Sequence, residues 1–383
     1  MALSIKNQEI IGEIDNLQDK LDGRTPIDRL ELLVLVNSWG RNAYILTQNE
    51  IKDNNLEFCI DNCEPTQSEQ ALLVRKECYD LSKLDVSQIT NMDSIFEHSN
   101  YNGDIGNWDV SNVTSMFKMF AFNREFNSPL NNWDVSNVKN IKEMFSNCIK
   151  FNQNLNNWDT SNVVNMIKVF SKAKVFNGDI SNWDVSNVTS MSSMFFETKE
   201  FNQDLNNWDT SNVNNMEGMF KYTEKFNQPL KFDTSSVTDM SYMFYNAKSF
   251  NQPLNFDTSN VTNMRYMFYT AINFNQLLNF DTSEVTNMSN MFYEAISFNQ
   301  PLNFDISSVI NMKRMFYYAK EFTKKYNNDH KLSNETDDIK KWINNNRERM
   351  NDIDIKEEHG EEINNFFNKL QTNSIQKKEI QWH

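Results

Sequence analysis

"FNQPLNFDTSNVTNMRYMFYTAIN", residues 250–273, is followed without a break by "FNQLLNFDTSEVTNMSNMFYEAIS", residues 274–297. A catalytic constellation needs its residues once. A stretch repeated this faithfully builds a unit that stacks on its own copy. Working outward, the Asp of a D-x-S-x-V pattern recurs at Asp85, Asp109, Asp134, Asp159, Asp184, Asp209, Asp233, Asp257, Asp281 and Asp305, with Ile for Val in the first copy. The spacing is 24, then 25 four times, then 24 four times. Asp109 to Asp209 follow Asn-Trp, whereas Asp233 onward follow Lys-Phe or Asn-Phe, so one residue is lost where Trp becomes Phe. A period in this range predicts a solenoid of strand-plus-helix or strand-plus-turn coils.

Residues 126–150, "FNSPLNNWDVSNVKNIKEMFSNCIK", parse as one coil. Trp133 and Val135 predict the end of a short strand. Ser136 stands where a helix N-cap belongs. Val138, Ile141, Met144 and Phe145 then fall on one face of a short helix, which must pack on its neighbours because it is too short to stand alone. The expected fold is therefore an α/β repeat solenoid, with one short parallel strand and one short helix per coil over about ten coils. Seventeen of the 19 methionines lie in the repeats, and their spacing beside Val and Phe reads as core rather than as a soft-metal groove.

Two polar ladders need a reason. Asn127, Asn152, Asn177, Asn202, Asn227, Asn251, Asn275 and Asn299 each follow the coil's first Phe. An inward Asn in register can satisfy amides of its own turn and of the next coil. The repeated Asp would place like charges side by side unless each accepts hydrogen bonds from turn amides just ahead of it. A calcium ladder is the alternative, though one carboxylate per coil is thin coordination.

"FNSPLNNWDVSNVKNIKEMF" at 126–145 and "FNQPLNFDTSNVTNMRYMF" at 250–268 resemble the DUF285 repeat of BspA-like surface proteins, which have leucine-rich-repeat character. The resemblance covers residues 81–322. It implies a leucine-rich-repeat-like solenoid that serves adhesion or protein interaction, and it carries no catalytic motif. Such repeats occur in mycoplasma and other low-GC bacteria, some protists and giant viruses.

The flanks are residues 1–80, expected to be a helical cap with helices over 4–22 and 25–39, and residues 323–383, charged and expected to be helical. Thr25–Pro26 reads as an N-cap and N1 pair. The first flank could instead be an adaptor for a second partner. Cys59, Cys63, Cys78 and Cys148 match no zinc spacing and read as structural thiols. His98, His330, His359 and His383 join no known catalytic motif, and no phosphate-binding glycine loop is present. No catalytic residue, cofactor or metal is expected.

Net charge is −15 and no region is strongly basic, so nucleic acid is not an expected partner. The longest apolar run, "LELLVLV" at 30–36, is too short to span a bilayer, and the first residues carry no secretory pattern. The chain is expected to be monomeric, and cytoplasmic as it begins here; a removed leader would place it on a cell surface.

What varies between coils is where binding would lie. On a helix stepping about 100° per residue, Val237, Met240, Met243 and Phe244 share the core face, and Tyr242 and Tyr245 lie off it. Tyr245, Tyr269, Tyr293 and Tyr317 occupy one register of the last four coils, with Tyr242 and Tyr266 beside them. An exposed tyrosine row is a candidate stripe for a protein partner. The same rings could instead stack between coils and only stiffen the array. An interaction scaffold is the first expectation, followed by a surface adhesin and a structural rod or particle component.

Overall fold

The computed structural model describes residues 80–327 and, before them, 20–37 apart from 22 and 24. Most of the expected helix over 4–22, residues 50–79 and 335–383, Cys59, Cys63, Cys78, His330, His359 and His383 lie outside the described residues. The chain divides into two compact units, one up to Gln203 with Asn207–Asp209, the other of Asp204–Asn206 and Thr210 onward. Each is built from stacked coils joined by parallel bridges one repeat apart. Ser115 pairs with Asn140 and Asn140 with Asn165 in the first unit; Asp239 pairs with Asn263 and Asn263 with Asn287 in the second.

The coils contain no helix. The expected strand-plus-helix is replaced by isolated bridges and consecutive turns, and the amide hydrogen bonds show why. Met116, Lys118, Phe120 and Phe122 donate their amides to the carbonyls of Asn140, Lys142, Met144 and Ser146, one coil on, at 2.7–2.9 Å. The amides between them, Met119, Ala121 and Asn123, bond back three residues to Met116, Lys118 and Phe120 at 2.9–3.1 Å. The second unit repeats this: Met240, Tyr242, Phe244 and Asn246 donate to Asn263, Arg265, Met267 and Tyr269 at 2.7–3.1 Å. Alternate amides thus serve the coil's own turn and the next coil. An α-helix would spend every amide on its own i−4 carbonyl and leave none to hold the neighbour.

Overlapping turns also bury every third residue or so, and that is why the sequence reads as a helix. Val138, Ile141, Met144 and Phe145 are all buried, as their spacing predicts. The backbone differs at two positions per coil, four residues apart, where φ is positive: Lys118 and Phe122, Glu143 and Asn147, Ser193 and Glu197, Tyr242 and Asn246. A positive φ at the third residue of a turn is the type II geometry that favours Gly. Only Gly218, at φ 59°, supplies it within the coils. Ser193, one repeat earlier, holds φ 55° with a Cβ. A left-handed non-glycine residue costs about 1 kcal/mol. Ser193→Gly is therefore expected to raise the urea midpoint, adding up to about 1 kcal/mol of stability after the glycine's larger unfolded-state entropy is set against it.

The core is aromatic and columnar. Phe96, Phe120, Phe145, Phe170 and Phe195 stack with centroids 5.1–5.9 Å apart in the first unit. Phe220, Phe244, Phe268, Phe292 and Phe316 do so at 5.5–5.7 Å in the second. A second aromatic ring in each coil closes on the first, Tyr101 on Phe96 at 5.1 Å in the first coil and a Phe thereafter, as Phe151 does on Phe145 and Phe250 on Phe244, both at 4.1 Å.

The change in coil length has a structural cause. In longer coils a four-residue turn such as Leu130–Trp133 precedes the Asp, and the Trp indole reaches back one coil. Trp133, Trp158 and Trp183 donate Nε1–H to the carbonyls of Ile105, Leu130 and Leu155, each at 2.9 Å. Phe has no such donor. In the shorter coils Leu230, Leu254 and Leu278 pair directly as parallel bridges instead.

Before the first coil, Pro26 pairs with Asp85 and Ile27 donates its amide to the Asp85 carbonyl at 2.9 Å. This overturns the expected cap at Thr25–Pro26. Helix α1, Arg29–Asn37, starts later because Asp28 caps it. Asp28 Oδ1 accepts the Glu31 amide at 2.9 Å and Glu31 Oε2 accepts the Asp28 amide at 3.0 Å, a reciprocal capping box. Helix α2, Lys320–Asn327, follows the last coil and buries Phe322 against Phe298 and Phe316.

Candidate functional site

The ladders belong to the architecture. In the coils from Asp85 to Asp184 and from Asp233 to Asp305, Oδ1 accepts the amide of the Ser two residues on at 2.8–3.1 Å. This is an Asx turn, and there is no helix N-terminus behind it. The Ser bonds hold the carboxyls of Asp109, Asp159, Asp257, Asp281 and Asp305 below the usual range. For Asp281 they outweigh the repulsion of Asp257 and Asp305. Among the described residues no three His, Cys, Asp or Glu side chains converge on a metal position.

The Asn ladder does bond to the next coil, but from the edge of the stack rather than from inside it. Asn127 Oδ1 accepts the Asn152 amide at 2.8 Å, and Asn251 Oδ1 accepts the Asn275 amide at 2.9 Å, with Asn152 exposed and Asn251 half-buried. Buried Cys148 donates its thiol to the Phe120 carbonyl at 2.8 Å, and burial pushes its pKa up.

The tyrosines gather in the second unit. Tyr245 stacks on Tyr269 at 4.5 Å, Tyr269 on Tyr293 at 4.5 Å, and Tyr293 on Tyr317 at 4.9 Å, with interplanar angles of 6°, 11° and 20°. Tyr242 and Tyr266 form a second stack at 4.8 Å and 4°. Tyr266 bridges the two columns, 6.2 Å from Tyr245 and 5.5 Å from Tyr269. All six expected stripe residues are therefore brought together. They are half-buried rather than exposed, because each ring covers the next. The spacing follows the roughly 4.8 Å separation of adjacent backbones, and each aligned pair contributes about 0.5–1.5 kcal/mol beyond its area.

Burial raises the phenol pKa of Tyr242, Tyr245 and Tyr269, and pushes that of Tyr293 up to about 12. Hydroxyl contact with Tyr222 adds to the rise at Tyr245. All four are neutral donors at ordinary pH.

Five neighbours join the stripe beyond the six expected residues. Tyr222 lies 5.1 Å from Tyr245, and Tyr318 meets Tyr317 edge-on at 4.5 Å. Lys221 Nζ stands 4.2 Å from the Tyr242 ring and 4.8 Å from that of Tyr245. Arg265 and Arg314 lie 5.2 and 5.8 Å from the rings of Tyr242 and Tyr317. Lys221 occupies the register of Tyr245 one coil earlier, so its place on the face could have been read from the alignment of coils.

The family described as "Mycoplasma protein of unknown function, DUF285" matches residues 68–183, 152–256 and 253–357. The chain belongs to the DUF285 family. The three matches overlap and together span the DUF285 coils described above. No curated protein matches this DUF285 chain. Among solved structures, the crystal structure of a TLR13–ssRNA13 complex aligns at 12% identity over 63% of this chain and 53% of that one, with a TM-score of 0.14. The chain thus spans about half the length of that protein.

Proposed function

We propose that this DUF285 protein is a non-catalytic scaffold for protein–protein interaction, and that the two tyrosine columns of the second unit are its recognition face. The observation that carries this reading is the convergence of eight of the twelve tyrosines, Tyr222, Tyr242, Tyr245, Tyr266, Tyr269, Tyr293, Tyr317 and Tyr318, on one face. Tyr and Arg dominate binding hot spots because they offer rigid area and hydrogen bonds at low entropic cost. The stacks keep the rings rigid before a partner arrives, which lowers the ordering cost of binding. The stacked, parallel coils also support a likeness to leucine-rich-repeat scaffolds, with turns in place of their helices.

The test is to compare the proteins retained from native host extract by the full chain and by a Tyr245→Ala/Tyr269→Ala/Tyr293→Ala variant. The variant is expected to keep a cooperative thermal transition and to lose the specific partner. Undiminished retention by a folded variant would instead favour tyrosine columns that only stiffen the array.

A further inference from the structure

Three cations frame the tyrosine columns in a chain whose net charge is −15. Lys221 stands at one end of the longer column, 4.8 Å from the Tyr245 ring. Arg314 stands at the other end, 5.8 Å from the Tyr317 ring. Arg265 lies beside Tyr242, 5.2 Å from its ring. The acidic groups acting on the same rings are Glu217, near Lys221 and Tyr242, and Glu294, near Tyr269 and Tyr293. Three cations thus face the rings, whereas the Asp ladder runs through the same coils elsewhere.

The ring faces are already used. With centroids 4.5 Å apart, Tyr245, Tyr269 and Tyr293 leave no slot for a nucleobase or another aromatic ring. A ligand meets ring edges and hydroxyls, a narrow row that is apolar below and hydrogen-bonding at its rim. That chemistry suits a peptide backbone laid along the row, whose carbonyls accept from neutral phenols.

We infer that the column receives an extended acidic segment of a partner protein, with carboxylates reaching Lys221 at one end and Arg314 at the other; this rests on the tyrosine face being the recognition surface. The length is consistent. The rings advance 4.5, 4.5 and 4.9 Å from Tyr245 to Tyr317. An extended chain rising about 3.3 Å per residue follows them for four or five residues and reaches both end cations in about six or seven. Terminal charge pairs of this kind fix register and steer association, so binding weakens with added salt.

The experiment selects a random linear peptide library, displayed on yeast, against the purified full chain. Enriched peptides should carry Asp or Glu at both ends of a six- or seven-residue span. They should bind a Lys221→Glu/Arg314→Glu variant at least about tenfold more weakly, a loss of roughly 1.4 kcal/mol. Changing the peptide's acidic residues to Lys should restore binding to that variant. Lys221 is half-buried against the Tyr242 and Tyr245 rings, so a cooperative melt must first show that the variant folds. Enrichment of basic peptides, or tighter binding of labelled oligo(dT) than of any peptide, overturns the inference. Peptides that lose binding to the triple tyrosine variant but ignore the charge reversal also overturn it, while leaving the recognition face standing. Peptides indifferent to both variants sink the inference and the recognition face together.

Discussion

Phe170→Ala is expected to lower the unfolding free energy by about 3–5 kcal/mol, the upper range for truncating a buried aromatic ring. Phe170 is fully buried and touches four other rings. Phe176 lies 3.9 Å away, Phe145 5.6 Å, Trp183 5.8 Å and Phe195 5.9 Å. The cost of a cavity depends on how far its walls collapse. Here they cannot collapse far, because the coils on either side are held apart by backbone bonds. Lys168, Phe170 and Lys172 donate amides to Ser192, Met194 and Phe196 of the next coil at 2.6–3.0 Å. Glu143, Phe145 and Asn147 of the preceding coil donate to Ile167, Val169 and Ser171 at 2.8–2.9 Å. Phe170→Met refills most of the space but not the ring stacking, and is expected to cost clearly less than the Ala variant. Urea denaturation followed by Trp fluorescence would measure both. A loss below about 1 kcal/mol for the Ala variant would mean that coils slide together and that the backbone ladder is soft.

The repeat, its period and its core were legible because burial follows side-chain chemistry. Phe145, Met144, Ile141 and Val138 are inside whichever backbone carries them. The backbone was not legible. A helix and a chain of overlapping turns both return an apolar residue every three or four positions, so the pattern cannot choose between them. What decides is the pair of positive-φ residues per coil, and Glu143, Lys168, Tyr242 and Arg314 give no hint of it. Only Gly218 carries the expected residue, and one glycine among so many copies reads as drift. The tyrosine columns were visible because identical residues shared a register. Arg265 was not, because its neighbours one coil either side, Ser241 and Ser289, share none of its chemistry. Cations gathered from different registers become a group only once the coils are stacked.

Trp183→Phe reproduces in one longer coil the substitution that the shorter coils carry naturally, yet it is expected to destabilise by about 1–3 kcal/mol. Trp183 is buried, stacks on Trp158 at 6.0 Å and donates its indole N–H to the Leu155 carbonyl at 2.9 Å. Phe removes one of the two hydrogen bonds that carbonyl accepts, the other being the Trp158 amide at 3.1 Å, and the lost bond costs about 0.5–1.5 kcal/mol. The smaller ring adds a void. The shorter coils avoid both penalties because they lack the residue that makes the four-residue turn before the aromatic. Their Leu pairs backbone to backbone, as Leu230 does with Leu254. Deleting Ser181 together with Trp183→Phe is therefore expected to recover part of the loss, since it removes the extra turn residue and lets Ile180 approach the neighbouring coil. The Asn182 amide bond to Asn156 Oδ1, 2.7 Å, should survive, because Lys231 makes the same bond to Asn206 at 3.0 Å in a shorter coil. Thermal unfolding of the wild type, the single substitution and the combined variant decides the matter. If the deletion worsens the substitution, coil length and the Trp-to-Phe exchange are not coupled through the carbonyl, and ring volume alone explains the cost.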